Sequence, residues 1–514
     1  MVALLLTAYF ATLGTLALFG VHRLVLTAAA WTSRRRGVAP VPQVTSWPSV
    51  VVQLPIFNEA FVAERLLSSA AALDYPPERL EIQVLDDSTD ETTAILARAR
   101  DGLRPGGPKI TLVRRASRVG FKAGALREGL LASDAELVAI FDADFVPTPD
   151  FLRITVPHLV ADPRCGLVQA RWGHLNRGHS MLTRAQAVVL DAHFGIEHEG
   201  RAARGACFNF NGTAGVWRRA AIESAGNWTD DTITEDLDLS YRAQMAGWSF
   251  KYLDPVLVPG ELPETFSALR TQQARWVRGG IETLRKHCAG IWGRRDWSFS
   301  RRLEATIHLG SNLAYVLMAL LAFLLPLAVV ARDQLGWRVS GGEALLSGMD
   351  WTMLSAGTLA MLVFYSASIR LSPGATAGSR TADVLFALCL GAGLSLTNAR
   401  AALLGLTGRG AEFVRTPKRG TAPRTELLRA YRPPHQVIAA LLELSAAIGY
   451  AIVIAYAIEA GLWAALPFLL LYFVGFAAIG GGTIYEHLER RSLRSLRAPR
   501  TGAPRSIVTS GRRA

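Results

Sequence analysis

The chain has 514 residues, of which 50% are hydrophobic and 19% charged, with a mean hydropathy of +0.23. That composition excludes a disordered or collagen-like protein, and the four scattered cysteines, Cys165, Cys207, Cys288 and Cys389, offer neither a CxxC zinc pair nor a close-spaced disulfide framework. An excess of 55 Lys+Arg over 42 Asp+Glu gives +13, which fits nucleic acid, an anionic membrane surface or a phosphorylated substrate, so the placement of the charge has to decide.

Residues 1–21 carry no charge and are followed by His22, Arg23 and then Arg34, Arg35 and Arg36. About 20 apolar residues suffice to cross a bilayer, and the positive charge follows the apolar run, opposite to a secretory signal peptide. The expectation is a transmembrane helix within 1–30 with its arginine side in the cytoplasm. From 40 to 300 short apolar runs alternate with amphipathic ones. The pattern predicts strands at 50–54, 81–85, 110–113 and 137–141, and helices at 59–73, 92–100 and 122–131. Strands that alternate with helices imply an α/β domain with a largely parallel sheet, whose ligands sit beyond the carboxyl ends of the strands.

Beyond 300 apolar spans fall near 309–331, 351–369, 436–458 and 461–485, forming an α-helical transmembrane region over 301–485. The stretch 381–405 is read as an interfacial or re-entrant helix, which keeps the basic loop with Arg409, Arg415, Lys418 and Arg419 in the cytoplasm. The last 29 residues, 486–514, hold eight arginines and two glutamates and form a basic cytoplasmic tail on the same count. The positive charge is thus chiefly a topology signal for a multi-pass protein of the cytoplasmic (inner or plasma) membrane. A nucleic-acid partner is not expected, and the lipid bilayer is.

Acidic residues end two of the expected strands. Asp86 and Asp87 follow one, and Asp142 and Asp144 follow another in Phe-Asp-Ala-Asp-Phe. Such residues also cap helices, yet two pairs on one sheet edge offer hard oxygen ligands for Mg²⁺ or Mn²⁺ bridging substrate phosphates. Lys122 opens a helix between the pairs, where both the helix N-terminus and the ammonium favour phosphate. Thr234-Glu235-Asp236 opens another helix, whose dipole is expected to keep Asp236 ionised so that it can accept a proton from an attacking hydroxyl. Gln272, Arg275 and Trp276 follow at i, i+3 and i+4 on one helix face, joining an amide, a guanidinium and a flat indole suited to a sugar. His174 and His179, or His193 and His198, lack the spacing of a helical metal pair. Glu443, inside an apolar span, is expected to line a polar channel or contact the product, or else to sit near the interface or bond another helix.

Asp-Asp-Ser-Thr-Asp, Asp142-Ala-Asp144, Thr234-Glu235-Asp236 and Gln272-Gln-Ala-Arg275-Trp276 occur in that order. Together they resemble processive glycosyltransferases of family 2, the cellulose synthase superfamily, over about 48–290. Asn209-Phe-Asn-Gly-Thr-Ala-Gly and Glu261-Leu-Pro are similar to its cellulose-synthase-like A and C branches, which make mannan or glucomannan and the glucan backbone of xyloglucan. The resemblance implies a GT-A (Rossmann-like) catalytic domain over 40–300 and an inverting hexosyltransfer from a nucleotide-sugar donor to a growing glycan. UDP-glucose is the favoured donor and GDP-mannose the other. Translocation of the product is implied too, and a non-processive enzyme adding one sugar to a membrane lipid is the alternative. Residue by residue it implies that Asp86 or Asp87 contacts the base or ribose and that Lys122 faces the diphosphate. Asp142 and Asp144 would bind nucleotide and metal, Asp236 would be the base, and Gln272, Arg275 and Trp276, with Glu235, would hold the acceptor. Phe413-Val-Arg-Thr-Pro-Lys418, within 406–435, resembles the gating-loop motif of bacterial cellulose synthases, with Arg415 where that motif has valine.

Overall fold

The computed structural model describes residues 2–37, 40–103, 106–334, 342–370, 377–408, 418–431 and 436–495. Helix α1 (Val2–Arg35) leads into β1 (Val50–Ile56), α2 (Ala63–Ala71), β2 (Leu80–Asp86), α3 (Thr92–Asp101), β3 (Lys109–Val113), α4 (Phe121–Leu131), β4 (Leu137–Ile140) and α5 (Phe151–Ala161). The four expected strands are therefore present. The helix expected from 59 starts at Ala63 because the chain turns first, with Asn58 at a φ of 54°. Then follow β5 (Cys165–His174), α6 (Met181–Ala192), a π-helical turn at His193–His198, α7 (Glu199–Ala203), β6 (Gly215–Arg218), α8 (Arg219–Ser224), α9 (Glu235–Met245) and β7 (Ser249–Gly260). Sequence patterning had not indicated the last three strands.

The seven strands form one sheet in the order β3-β2-β1-β4-β6-β5-β7. β3, β2, β1 and β4 run parallel, and β6 is antiparallel to both its neighbours. The central strands are buried on both faces, as parallel strands covered by helices must be. Val50, Val52 and Leu54 pack with Leu66 and Leu67 of α2 and with Phe151 and Val156 of α5. Val51, Val138 and Ile140 face the other way, onto Leu126 and Leu130 of α4 and onto Trp217 and Trp228. The order reverses between β1 and β4, so their carboxyl ends open a crevice at the switch point. This is a GT-A architecture, a mixed sheet flanked by helices.

The second part of the chain is helical: α10 (Phe266–Gly293), α11 (Phe299–Gly310), α12 (Ala314–Gln334), α13 (Gly342–Arg370), α14 (Ala377–Gly393), α15 (Ser395–Thr407), α16 (Arg424–Ala430), α17 (Gln436–Glu459) and α18 (Leu466–Ser495). Among the described residues four helical stretches are long and apolar enough to cross a bilayer: Val2–Arg35, Phe299–Ala331, Gln436–Glu459 and Trp463–Leu493. They expose large apolar side chains such as Leu18, Phe323, Ile448 and Ile452, a surface suited to lipid. Over the stretch read as one interfacial helix, Thr381–Gly393 and Ser395–Thr407 form a pair bent by 51°. α18 runs on through Ser495, so the start of the expected tail is helical, with Glu486 and Arg490 buried. Residues 496–514 lie outside the described residues, as do Arg409 and Arg415 of the basic loop.

Candidate active site

Five segments converge at the carboxyl edge of the sheet: the ends of β2 and β4, the start of α4, the start of α9, and one face of α10. They bound an open cleft lined by Asp87, Lys122, Asp142, Asp144, Glu235, Asp236, Gln272, Arg275 and Trp276. Asp86 is absent from the lining. It is buried, its Oδ1 accepting from Ser88 N at 2.9 Å and its Oδ2 from Thr93 Oγ1 at 2.6 Å, so it braces the turn after β2. Of the two carboxylates considered for base or ribose contact, Asp87 is the one in the cleft, held by Arg115 Nε at 2.9 Å. Arg118 beside it lies over the Phe57 ring, 3.4 Å from its centroid.

Lys122 Nζ donates to Asp142 Oδ1 and, at 2.9 Å, to the carbonyl of Gly212. Glu235 lies 3.9 Å away. Burial alone lowers the Lys122 ammonium, yet Asp142 and Glu235 raise it above its ordinary value, so it stays charged. Gly212 has a φ of +80° and tight surroundings: a Cβ would stand 3.0 Å from Asp236 Oδ2 and 3.3 Å from Lys122 Nζ. Glycine there suits the positive φ and lets the backbone approach Lys122 closely.

The sequence led to an Asp236 kept ionised by its helix dipole. Its Oδ1 does accept from Leu237 N at 2.8 Å, but burial, and then the neighbouring Glu235, push its carboxyl up to about 7. Desolvation outweighs the dipole here. Burial also raises Glu235, against the pull of Lys122 and Arg275. Arg275, half-buried among Glu235, Asp142 and Asp236, is lowered by desolvation while those carboxylates oppose the shift. Trp276 extends an aromatic wall, its ring 6.4 Å from Trp172, which lies 5.0 Å from Phe145.

Asp144 is 4% exposed and accepts from Glu261 N at 3.3 Å and from Lys418 Nζ at 2.6 Å. The β7 end contributes more than its sequence suggested. Glu261 binds Arg65 at 2.7 Å and receives the backbone N–H groups of Arg419 and Gly420 at 3.1 Å each, and Glu264 pairs with Arg419 at 2.7 Å. An acidic residue directly after a strand at this edge was the available signal. Phe413 and Arg415 of the gating-type motif lie outside the described residues, whereas Lys418 enters the cleft. The histidines are engaged within the protein: His174 with Asp191, and His193 with Glu197 and with Asn211 of the cleft. Among the described residues no group of three or more His, Cys, Asp or Glu could cage a metal. Asp142 and Asp144 suit a cation that takes its remaining ligands from phosphate and water, as Mg²⁺ commonly does.

A family model described as glycosyltransferase like family 2 matches residues 48–279. The chain is 38% identical over 394 residues to glucomannan 4-beta-mannosyltransferase 7 of Arabidopsis thaliana, covering 74% of this chain and 67% of that one. The probable glucomannan 4-beta-mannosyltransferase 9 of Oryza sativa subsp. japonica is 36% identical over 413 residues, 76% of this chain and 73% of its own. The chain belongs to glycosyltransferase family 2, in its cellulose synthase-like branch. Among solved structures it is similar to the mannosyltransferase PcManGT from Pyrobaculum calidifontis in complex with GDP-Man and Mn²⁺, with a TM-score of 0.46 and 23% identity over 69% of this chain and 97% of that one. The protein is thus a membrane β-glycosyltransferase, a hexosyltransferase that takes a nucleotide-sugar donor and a glycan acceptor. The matched region supplies every residue that lines the cleft except Lys418.

Proposed function

We propose that this glycosyltransferase moves a mannosyl group from GDP-mannose onto the growing end of a β-linked glycan, with inversion at the anomeric carbon. UDP-glucose, the donor favoured from sequence, gives way to GDP-mannose because the relatives that match most of the chain are named as mannosyltransferases. The observation that carries the reading is one cleft holding a carboxyl poised at about 7 next to a lysine and the Asp142–Asp144 pair. A general base works best with a pKa near the working pH.

Asp236 takes the proton of the acceptor hydroxyl as its oxygen attacks the anomeric carbon. The bond from that carbon to the diphosphate oxygen breaks, and the electron pair leaves with the nucleoside diphosphate. Lys122 faces the leaving group, and Asp142 and Asp144 would hold Mg²⁺ or Mn²⁺, which when bound neutralises charge on the diphosphate. Asp87 and Arg118 border the nucleotide end of the cleft. Gln272, Arg275, Trp276 and Glu235 hold the acceptor, the aromatic wall giving the sugar a flat apolar face. Donor use and catalysis fall on the cytoplasmic side of a multi-pass membrane protein, with polymerisation and passage of the glycan through the helical region as further parts of this reading. Replacing Asp236 by Asn tests it: transfer falls by at least about 10²-fold while GDP-mannose binding, read by calorimetry, is retained. Full activity in that variant would rule out the base role.

A further inference from the structure

Helix α10 carries Gln272, Arg275 and Trp276, and its first turns are held by the helices expected to lie in the membrane. Glu486 of α18 accepts from Phe266 N at 2.6 Å, from Ser267 N at 3.0 Å and from Ser267 Oγ at 2.5 Å. A carboxylate from another helix thus satisfies N–H groups that α10 cannot pair itself, at the end where the helix dipole favours negative charge. Gly482, one turn earlier in α18, lies under the Phe266 ring with no space for a Cβ. One turn along α10, Arg270 forks onto Glu443 of α17, with Nη1 to Oε1 at 2.7 Å and Nη2 to Oε2 at 2.6 Å. Thr397 of α15 and Thr483 of α18 bind the same guanidinium at 2.8 and 3.1 Å. Arg270, Glu443 and Glu486 are 3%, 1% and 2% exposed.

A buried ion pair contributes little net stability, because desolvation consumes most of its attraction. What a two-pronged guanidinium–carboxylate contact does supply is direction. Here one anchor fixes the height of α10 at its N-terminus and a second fixes its rotation, in the turn just before Gln272. We propose that Arg270, Glu443 and Glu486 are positioning residues that lock the acceptor-binding face of α10 to the membrane helices, so that the glycan end is presented to the donor in register with its path along those helices. The inference rests on reading Gln272, Arg275 and Trp276 as the acceptor site.

The test uses the full-length protein in nanodiscs with GDP-mannose and a β-linked manno-oligosaccharide acceptor. Glu486→Ala removes one anchor, and the double variant R270M/E443L replaces the ion pair by apolar side chains of similar size that can fold without it. Both are expected to lower transfer by about 10- to 100-fold, the scale of a misplacement near 1 Å, through a raised acceptor KM with donor KM and nucleotide binding unchanged. Glu486→Gln, which keeps an accepting oxygen, recovers part of the loss. Wild-type acceptor KM in Glu486→Ala and in the double variant, or a donor-binding loss as large as the transfer loss, would overturn the proposal. Trp276→Ala is run in parallel. If it raises the acceptor KM while the anchor variants do not, only the positioning role falls. If it leaves the acceptor KM unchanged, the acceptor-site reading falls and takes this inference with it.

Discussion

Lys418 Nζ lies 2.6 Å from Asp144 Oδ2, so an ammonium holds one of the two carboxylates suited to a cation. The contact is well anchored, because Glu261 receives the next two backbone N–H groups and Glu264 binds the Arg419 side chain. An ammonium and a divalent cation compete for the same oxygen. Lys418→Met is therefore expected to lower the Mn²⁺ concentration that half-saturates donor binding by about tenfold, the equivalent of one charge-assisted hydrogen bond. Calorimetric titration of Mn²⁺ at fixed GDP-mannose reads this, and an unchanged or higher requirement would contradict competition at Asp144.

The Asp236 carboxyl at about 7 sets the pH dependence. A base must be unprotonated to act, and a raised pKa keeps it protonated in more acidic solution. In the free enzyme kcat/KM should therefore rise about tenfold per pH unit below 7 and level off above it. Glu235 contributes to the upward shift, so Glu235→Gln should move the acidic limb to lower pH. A limb that stays in place, or moves up, would separate it from Asp236.

The Gly212 carbonyl accepts from Lys122, and a side chain added at Gly212 would meet Asp236. Gly212→Ala would place a methyl 3.0 Å from Asp236 Oδ2 at a φ of +80°, where an L residue costs about 1 kcal/mol or more. The expected result is a kcat reduced by about tenfold or more, with the melting temperature lowered by only a few degrees. Steady-state kinetics beside thermal unfolding checks it, and wild-type kcat would show that the loop has room to yield.

Legibility followed the range of the interactions. Asp142, Asp144 and Lys122 could be read because strand ends and helix starts are local patterns, and the sheet brings such ends together without further information. Asp86 and Asp87 could not be told apart, since one residue of register decides which enters the cleft and which caps a turn. The state of Asp236 was misjudged because its dipole is local, whereas its burial comes from segments distant in sequence, with α10 packed on α9 and Gly212 beside the carboxyl. β5, β6 and β7 were missed: β6 has four residues, and β7 carries a polar start and two prolines. Lys418 meets Asp144 across 274 residues and Arg270 meets Glu443 across 173, and no periodicity reports such pairs. Glu443 was legible as an unusual charge in an apolar run, and the structure supplies its partner.

The most direct test of the central claim is nucleoside diphosphate release by the purified full-length protein in nanodiscs, with GDP-mannose and UDP-glucose in separate reactions containing Mn²⁺, followed by sizing of the glycan before and after β-mannanase. The expected result is release of GDP with a long, β-mannanase-sensitive product and little turnover of UDP-glucose. Turnover of UDP-glucose alone, or a single sugar added to lipid, would contradict the assignment of a mannosyl-polymerising enzyme.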